Sequence, residues 1–250
     1  KESVTKNQTE QDWCVLNYED PELHRFGEER CVPQTVWFSS SRPVTGGLYL
    51  ENGAITSELD GEREIVCHTD ELNILGRHNY ENVMAAVGIC RKLDVPMDKI
   101  RHACTHFQAV EHRIEFVRET GGVAYYNDSK GTNPDAAIQA VRAMERPTVL
   151  IGGGYDKNSA YDEWIAAFDG KVKHLLLLGQ TAEKIADTAR SMGFTEITFV
   201  KDMGEAVEKA AELSEAGDAV LLSPACASWG MFRKYEERGR IFKELVRQLP

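Results

Sequence analysis

The chain has 250 residues, 42% hydrophobic and 28% charged, enough to bury one large core or two ordinary ones, and two domains are expected. A formal net charge of -11 argues against nucleic-acid backbones and anionic membrane surfaces as partners, since both select basic surfaces; small anions stay open because a few local cations and N–H groups suffice for them. No apolar run approaches the roughly 18 residues of a membrane span and no signal-like segment opens the chain, so a cytoplasmic protein is expected.

The chain begins at Lys1 rather than Met, and Asp12–Asp20 reads as a core strand almost at once, as in a piece of a longer protein. Short strands are expected at Cys14–Asn17, Thr35–Phe38 and Gly47–Leu50, with Gly-Ala and Asp-Gly turn signals between several of them. Val83, Ala86, Val87 and Cys90 fall at helical spacing and predict a helix over Asn79–Leu93, closed by Asp94–Asp98; another begins over Ile100–Phe107. The pattern changes within Ala109–Phe116, which divides the chain into 1–109 and 110–250.

Strands and helices then alternate. Strands are predicted at Ile114–Arg118, Val123–Asn127, Thr148–Ile151, His174–Leu178, Ile197–Val200 and Ala219–Leu222. Helices are predicted at Asp135–Met144, Tyr161–Phe168, Ala182–Met192, Gly204–Leu213 and Phe232–Gln248. Strands apolar throughout, such as Leu175–Leu178, predict a mostly parallel sheet covered on both faces, an α/β fold. Cys14, Cys31, Cys67, Cys90, Cys104 and Cys226 form no C-x-x-C pair and read as reduced thiols.

Three loops follow strands of this sheet and carry polar chemistry. In Asn127–Pro134, Asp128 can accept from ribose hydroxyls, Lys130 can neutralise phosphate or carboxylate, and Thr132 can donate to an anion near a helix start. The same residues could simply cap a helix through Asn133 or Thr132. Glycines 152–154 let a backbone approach a ligand closely and bring Lys157 to the ligand edge, although a triple glycine is often only a turn. Ser228, at the end of the small-residue run Ser223–Ser228, is a candidate hydroxyl before the last helix. Lys130, Lys157 and Ser228 are expected to converge on one pocket. Upstream, Asn79 and Asn82 share a helical face and could read a base edge, or Asn79 could be an N-cap. Arg113, at the boundary, could reach a phosphate or ribose, or form a surface salt bridge.

Taken in order, Gly-x-His-Asn-x-x-Asn from Gly76, His-Arg-x-Glu from His112, Asn-Asp-Ser-Lys-x-Thr-Asn from Asn127, Gly-Gly-x-x-x-Lys ending at Lys157, and Ser-Pro-Ala-Cys-Ala-Ser from Ser223 resemble the Mur ligase family over nearly the whole chain. The last run resembles its D-glutamate-adding branch. The resemblance implies part of a P-loop-type central ATPase domain over 1–109 and a Rossmann-like amino-acid-binding domain over 110–250. It implies ATP and Mg2+ as cofactors, with Asn79 and Asn82 by the adenine and Arg113 and Asp128 by the ribose and phosphates. D-glutamate would be held by Thr132, Lys157 and Ser228, with Trp229 in place of a more usual aliphatic and Tyr235 in place of a frequent Phe. Lys130 would lie near the transferred phosphate, and Lys1 matches by spacing a carbamylated lysine that bridges to Mg2+. The implied reaction joins D-glutamate to UDP-N-acetylmuramoyl-L-alanine through an acyl phosphate, in a monomer.

No G-x-x-x-x-G-K-[ST] run occurs: Gly170-Lys171 has Ile165 where the first glycine is required. The resemblance puts that loop, and the acceptor-binding domain, upstream of Lys1, so these residues alone are not expected to catalyse the reaction. Alternative readings are a relative adding another amino acid, a folylpolyglutamate synthetase-like ligase, or a non-catalytic nucleotide-binding module.

Overall fold

The computed structural model describes residues 2–250, apart from the side chains of Glu2 and Asp60. The chain divides into two compact units, one ending at Gln108 and the other spanning Ala109–Pro250.

The first unit is built on a five-stranded sheet in the order β1 (Trp13–Asn17), β2 (Gln34–Ser39), β3 (Leu48–Glu51), β4 (Ala54–Ser57), β5 (Glu64–His68). The first three strands run parallel and the last three antiparallel. Helix α1 (Pro21–Glu29) joins β1 to β2, and α2 (Arg77–Lys92) and α3 (Met97–His106) follow β5. α2 packs on β1, β2 and β3. Its buried stripe is Met84, Val87 and Gly88, while Ala86 is exposed, a rotation from the stripe expected by spacing. The cause is Gly88, where a side chain would crowd Val15 and Leu48; backbone approach at a glycine leaves no apolar signal.

Three elements were not among those predicted. α1 is nine residues long and buries only Phe26, so it offers few apolar residues to read, although Asp20 caps the Glu22 and Leu23 amides and Pro21 opens the first turn. β4 is buried at every position but half of it is Thr56 and Ser57, and β5 is its hairpin partner.

The second unit carries a six-stranded sheet. Its strands are β6 (Glu115–Thr120), β7 (Val123–Asn127), β8 (Thr148–Gly152), β9 (Val172–Leu177), β10 (Ile197–Phe199) and β11 (Ala219–Leu222). Their spatial order is β10-β9-β8-β11-β7-β6, parallel except for the β6–β7 pair. The connecting helices are α4 (Pro134–Ala143), α5 (Asp162–Ala166), α6 (Ala182–Ser191) and α7 (Met203–Leu213), and α8 (Tyr235–Gln248) ends the chain. β6 starts one residue later than predicted because Ile114 has a left-handed backbone, φ 45°, and turns its amide inward to Asp128. α5 is shorter than predicted because the Phe168 amide already turns back to the Ile165 carbonyl.

The strands alternate their side chains between two layers. Val149, Ile151, Leu176, Val220 and Leu222 form one core with Met203, Ala206 and Val207 of α7 and Phe242 and Val246 of α8. On the other face α4 packs on α5 and α5 on α6, around the fully buried Trp164. The chain therefore leaves β8 on one face and β11 on the opposite face. Between such strands the connections diverge and a crevice opens at their carboxyl ends.

Candidate functional site at the carboxyl edge of the second sheet

Three adjacent strands, β8, β11 and β7, end at that crevice. β11 pairs in register with both neighbours, Leu222 lying opposite Ile151 and Asn127. The loops bearing Lys157, Ser228 and Lys130 are thus neighbours because of strand order, although far apart in sequence.

The loop after β8 approaches the one after β11 through backbone contacts. Gly153 donates to the Pro224 carbonyl at 2.9 Å and Tyr155 to the Ala227 carbonyl at 2.9 Å. Gly153 has φ 100°, and a Cβ there would collide with the Leu178 carbonyl. The Gly154 amide donates to the Thr181 hydroxyl at 3.0 Å. Residues 223–228 are all buried, and the Cys226 thiol lies 3.1 Å from the Tyr161 hydroxyl and 3.3 Å from that of Thr181. Cys226 is therefore a packing residue, its thiol pushed up by burial.

The loop after β7 is tied down from beneath. The Asp128 amide continues the ladder to the Leu222 carbonyl at 2.7 Å. Its carboxylate is buried and accepts from the Ser223 hydroxyl at 2.7 Å and the Ile114 amide at 3.3 Å. Burial pushes this carboxyl up to about 7, against the pull of Ser223, Ile114, Arg113 and Arg238. Asn133 is the N-cap of α4 and accepts from the Ala136 amide at 2.9 Å.

Arg238, which sequence reasoning passed over, fastens two of the loops. It is 2% exposed and donates to the Ser129 hydroxyl at 3.0 Å, the Ser129 carbonyl at 2.8 Å and the Cys226 carbonyl at 3.1 Å. Burial pulls its guanidinium down to about 10, which still leaves it charged at neutral pH. The available signal was its position four residues before Phe242 and eight before Val246, a charge on the buried stripe of α8.

A second ionic cluster lies behind the β7 loop. Lys243 donates to Glu111 and Glu115, both at 2.8 Å. Burial disfavours its charge, but these two carboxylates raise it above its ordinary value. Glu111, His112 and Glu115 bring ligand atoms within 4.8 Å of one another, an arrangement compatible in principle with a metal ion. The Lys243 ammonium already serves both carboxylates there, so this group does not fit a divalent cation. His112 is buried with φ 68°; the Asn127 amide lies 2.9 Å from its Nδ1, and burial pulls its imidazole below the ordinary range.

Above this frame the cationic groups stand free of acids. Lys130 and Lys157 have no carboxylate partner among the described residues; their ammonium groups lie 5.6 Å from the Tyr235 ring and 4.9 Å from the Trp229 ring. Ser228 is 3% exposed and Thr132 half-buried, Trp229 is 54% exposed, and Arg113 is exposed. Tyr235, half-buried, meets His112 edge-on at 5.9 Å and accepts the Ser129 hydroxyl on its carbonyl at 2.7 Å. Asp128 does not present free oxygens, because both point into the fold. α8 starts at Tyr235 rather than Phe232, and Trp229 lies in a turn ahead of it.

In the first unit, α2 begins at Arg77 with Gly76 as N-cap, so Asn79 is not the cap but lies within the first turn. Its amide donates to the Leu75 carbonyl at 2.6 Å, and Asn82 is exposed one turn on. Arg77 bonds the hydroxyls of Ser40 and Ser41, holding the helix start to the loop after β2. Lys1, on which the Mg2+ expectation rests, lies outside the described residues.

The glutamate ligase domain of Mur ligases matches residues 112–226. The chain is 56% identical over its full length to the UDP-N-acetylmuramoylalanine--D-glutamate ligase of Lachnoclostridium phytofermentans and 51% identical to that of Lachnospira eligens. It spans 55% of each of these relatives. Among solved structures, MurF ligase from Thermotoga maritima in complex with ADP superposes on 98% of this chain and 56% of its own, with a TM-score of 0.62 and 17% identity. No helix among the described residues is long and apolar enough to cross a membrane.

Proposed function

Since this chain belongs to the Mur ligase family, we propose that it forms part of an ATP-dependent ligase that adds D-glutamate to UDP-N-acetylmuramoyl-L-alanine, an activity of peptidoglycan synthesis in the cytoplasm. The observation that carries this reading is the pair of lysines without acidic partners, Lys130 and Lys157, on loops at adjacent ends of one parallel sheet. Uncompensated cations beside a buried serine suit a small dianion bearing an amine better than a neutral ligand.

In this reading Thr132, Lys157 and Ser228 bind D-glutamate, with Trp229 and Tyr235 bordering it, and Lys130 faces the transferred phosphoryl group. Asn79 and Asn82 contact adenine; Arg113 and Asp128 lie by the ribose and phosphates. Held near its midpoint at neutral pH, Asp128 repels phosphate less than an ordinary carboxylate, and its part is to order the loop rather than to offer a free acceptor. The carboxylate of the UDP-linked L-alanine takes the terminal phosphoryl group of ATP; the D-glutamate amine then attacks the acyl carbon, loses a proton and displaces phosphate to form the amide. This chain's contribution is to hold the amine donor in place, where orientation can supply about 7–11 kcal/mol of a barrier. Mg2+ is assigned through Lys1, as the family resemblance implies, and to no described residue. The 1–109 segment is read as part of the central ATP-binding domain, and the protein as a monomer.

In a ligase of the full length of the relatives, Lys157→Ala should raise the KM for D-glutamate about 10- to 150-fold, the loss of one charge-assisted contact. Arg113→Ala should raise the KM for ATP instead. Unchanged D-glutamate saturation in Lys157→Ala would refute the amino-acid site, and a D-glutamate effect alone in Arg113→Ala would refute the division of roles.

A further inference from the structure

The Lys157 ammonium is held by an aromatic ring and not by an acid. Its nearest acid in sequence, Asp156, is occupied by Lys184 at 3.1 Å. Lys157 itself sits 4.9 Å from the centre of the Trp229 ring. The ring is itself held: Tyr155 meets Trp229 at 5.6 Å and 62°, and the Tyr155 backbone is stitched to Ala227 by an isolated antiparallel bridge. Tyr155 and Trp229 are 40% and 54% exposed, more than aromatic residues whose only task is to fill a core.

A carboxylate partner would fix a lysine but cancel its charge. A ring quadrupole attracts the ammonium and leaves its formal charge uncompensated, with no oxygen competing for its N–H groups. The arrangement therefore fixes a flexible cation in advance, removing part of the side-chain entropy otherwise lost when a ligand immobilises it.

We propose that Trp229 is a positioning residue for Lys157, its ring holding the ammonium at the crevice and Tyr155 holding the ring, so that a charged carboxylate of the amino-acid substrate meets a pre-placed cation. This rests on the assignment of Lys157 to the amino-acid site. It refines the placing of Trp229 at the border of the amino-acid site: from there the ring acts on the substrate through the lysine.

The test is a double-mutant cycle on the full-length ligase, with D-glutamate and ATP saturation curves for each protein. Trp229→Leu removes the π face and should raise the KM for D-glutamate about two- to fivefold, equivalent to about 0.5–1 kcal/mol, without moving the KM for ATP or the Tm. Trp229→Phe keeps a face and should recover most of the loss. In the Lys157→Ala background Trp229→Leu should add nothing. If the Trp229→Leu effect persists undiminished without the lysine, the tryptophan acts on the substrate directly and the proposal falls. If Lys157→Ala raises the KM but Trp229→Leu leaves it unchanged, the proposal falls while the amino-acid site stands. If Lys157→Ala itself has no effect on D-glutamate, the underlying site assignment fails, and the proposal with it.

Discussion

At the residue scale, two buried side chains, Asp128 and Arg238, tie the loops of the crevice together from within. The unfolded chain releases the Asp128 proton near its ordinary value of 3.8, whereas the folded protein holds it to about 7. Between these values the native state binds more protons, so Asp128 makes stability fall as pH rises, by up to about 4 kcal/mol over the interval. Asp128→Asn has no proton to lose; comparing melting temperatures of the two proteins from pH 5 to 8 should show the variant gaining on the wild type as pH rises. Parallel curves would refute the raised carboxyl. Lys130, Lys157 and Ser228 could be singled out in the sequence because each lies in a loop that follows an apolar strand of one sheet. Asp128 was legible as an acid but not as a buried one, since burial depends on Ser223 and Ile114 closing over it. Arg238 was hidden among the charges of α8, because a helix with many surface charges masks the one that points inward.

At the element scale, the crevice is made by strand order and by backbone conformations that only glycine adopts easily. Gly153, at φ 100°, packs against the Leu178 carbonyl just after β9, and Gly154 packs against the Ala227 carbonyl of the β11 loop, so the two fix where the β8 loop lies. Gly153→Ala should cost about 1–3 kcal/mol of stability and, by moving the loop that bears Lys157, raise the KM for D-glutamate; thermal melts and saturation kinetics would test both. A substitution without either effect would mean the loop position is set elsewhere. Element types in the second unit followed directly from apolar runs alternating with 3.6-residue periodicity. Element edges did not, because they depend on individual turns such as the left-handed Ile114 and the Phe168 amide bonded back to Ile165. The buried polar β4 and the short α1, in which Phe26 alone is buried, gave no apolar run or stripe long enough to read.

At the scale of the whole molecule, each unit has its own sheet and its own buried residues, which suggests separate cooperative transitions. Lys243→Met, which strands Glu115 beside Glu111 without their cation, should destabilise the second unit by about 3 kcal/mol. In calorimetry of the chain it should lower one transition and leave the other in place; a uniform shift would show that the units unfold together. The sequence by itself determined the α/β class, the runs of apolar strand and the net negative charge, because composition and local periodicity act over a few residues. It could not decide that β11 inserts between β8 and β7, that Arg238 and Asp128 turn inward, or that Lys157 rests on Trp229. Each of these joins residues distant in the chain, and such contacts are chosen by the packing of whole layers around one core rather than by any local preference.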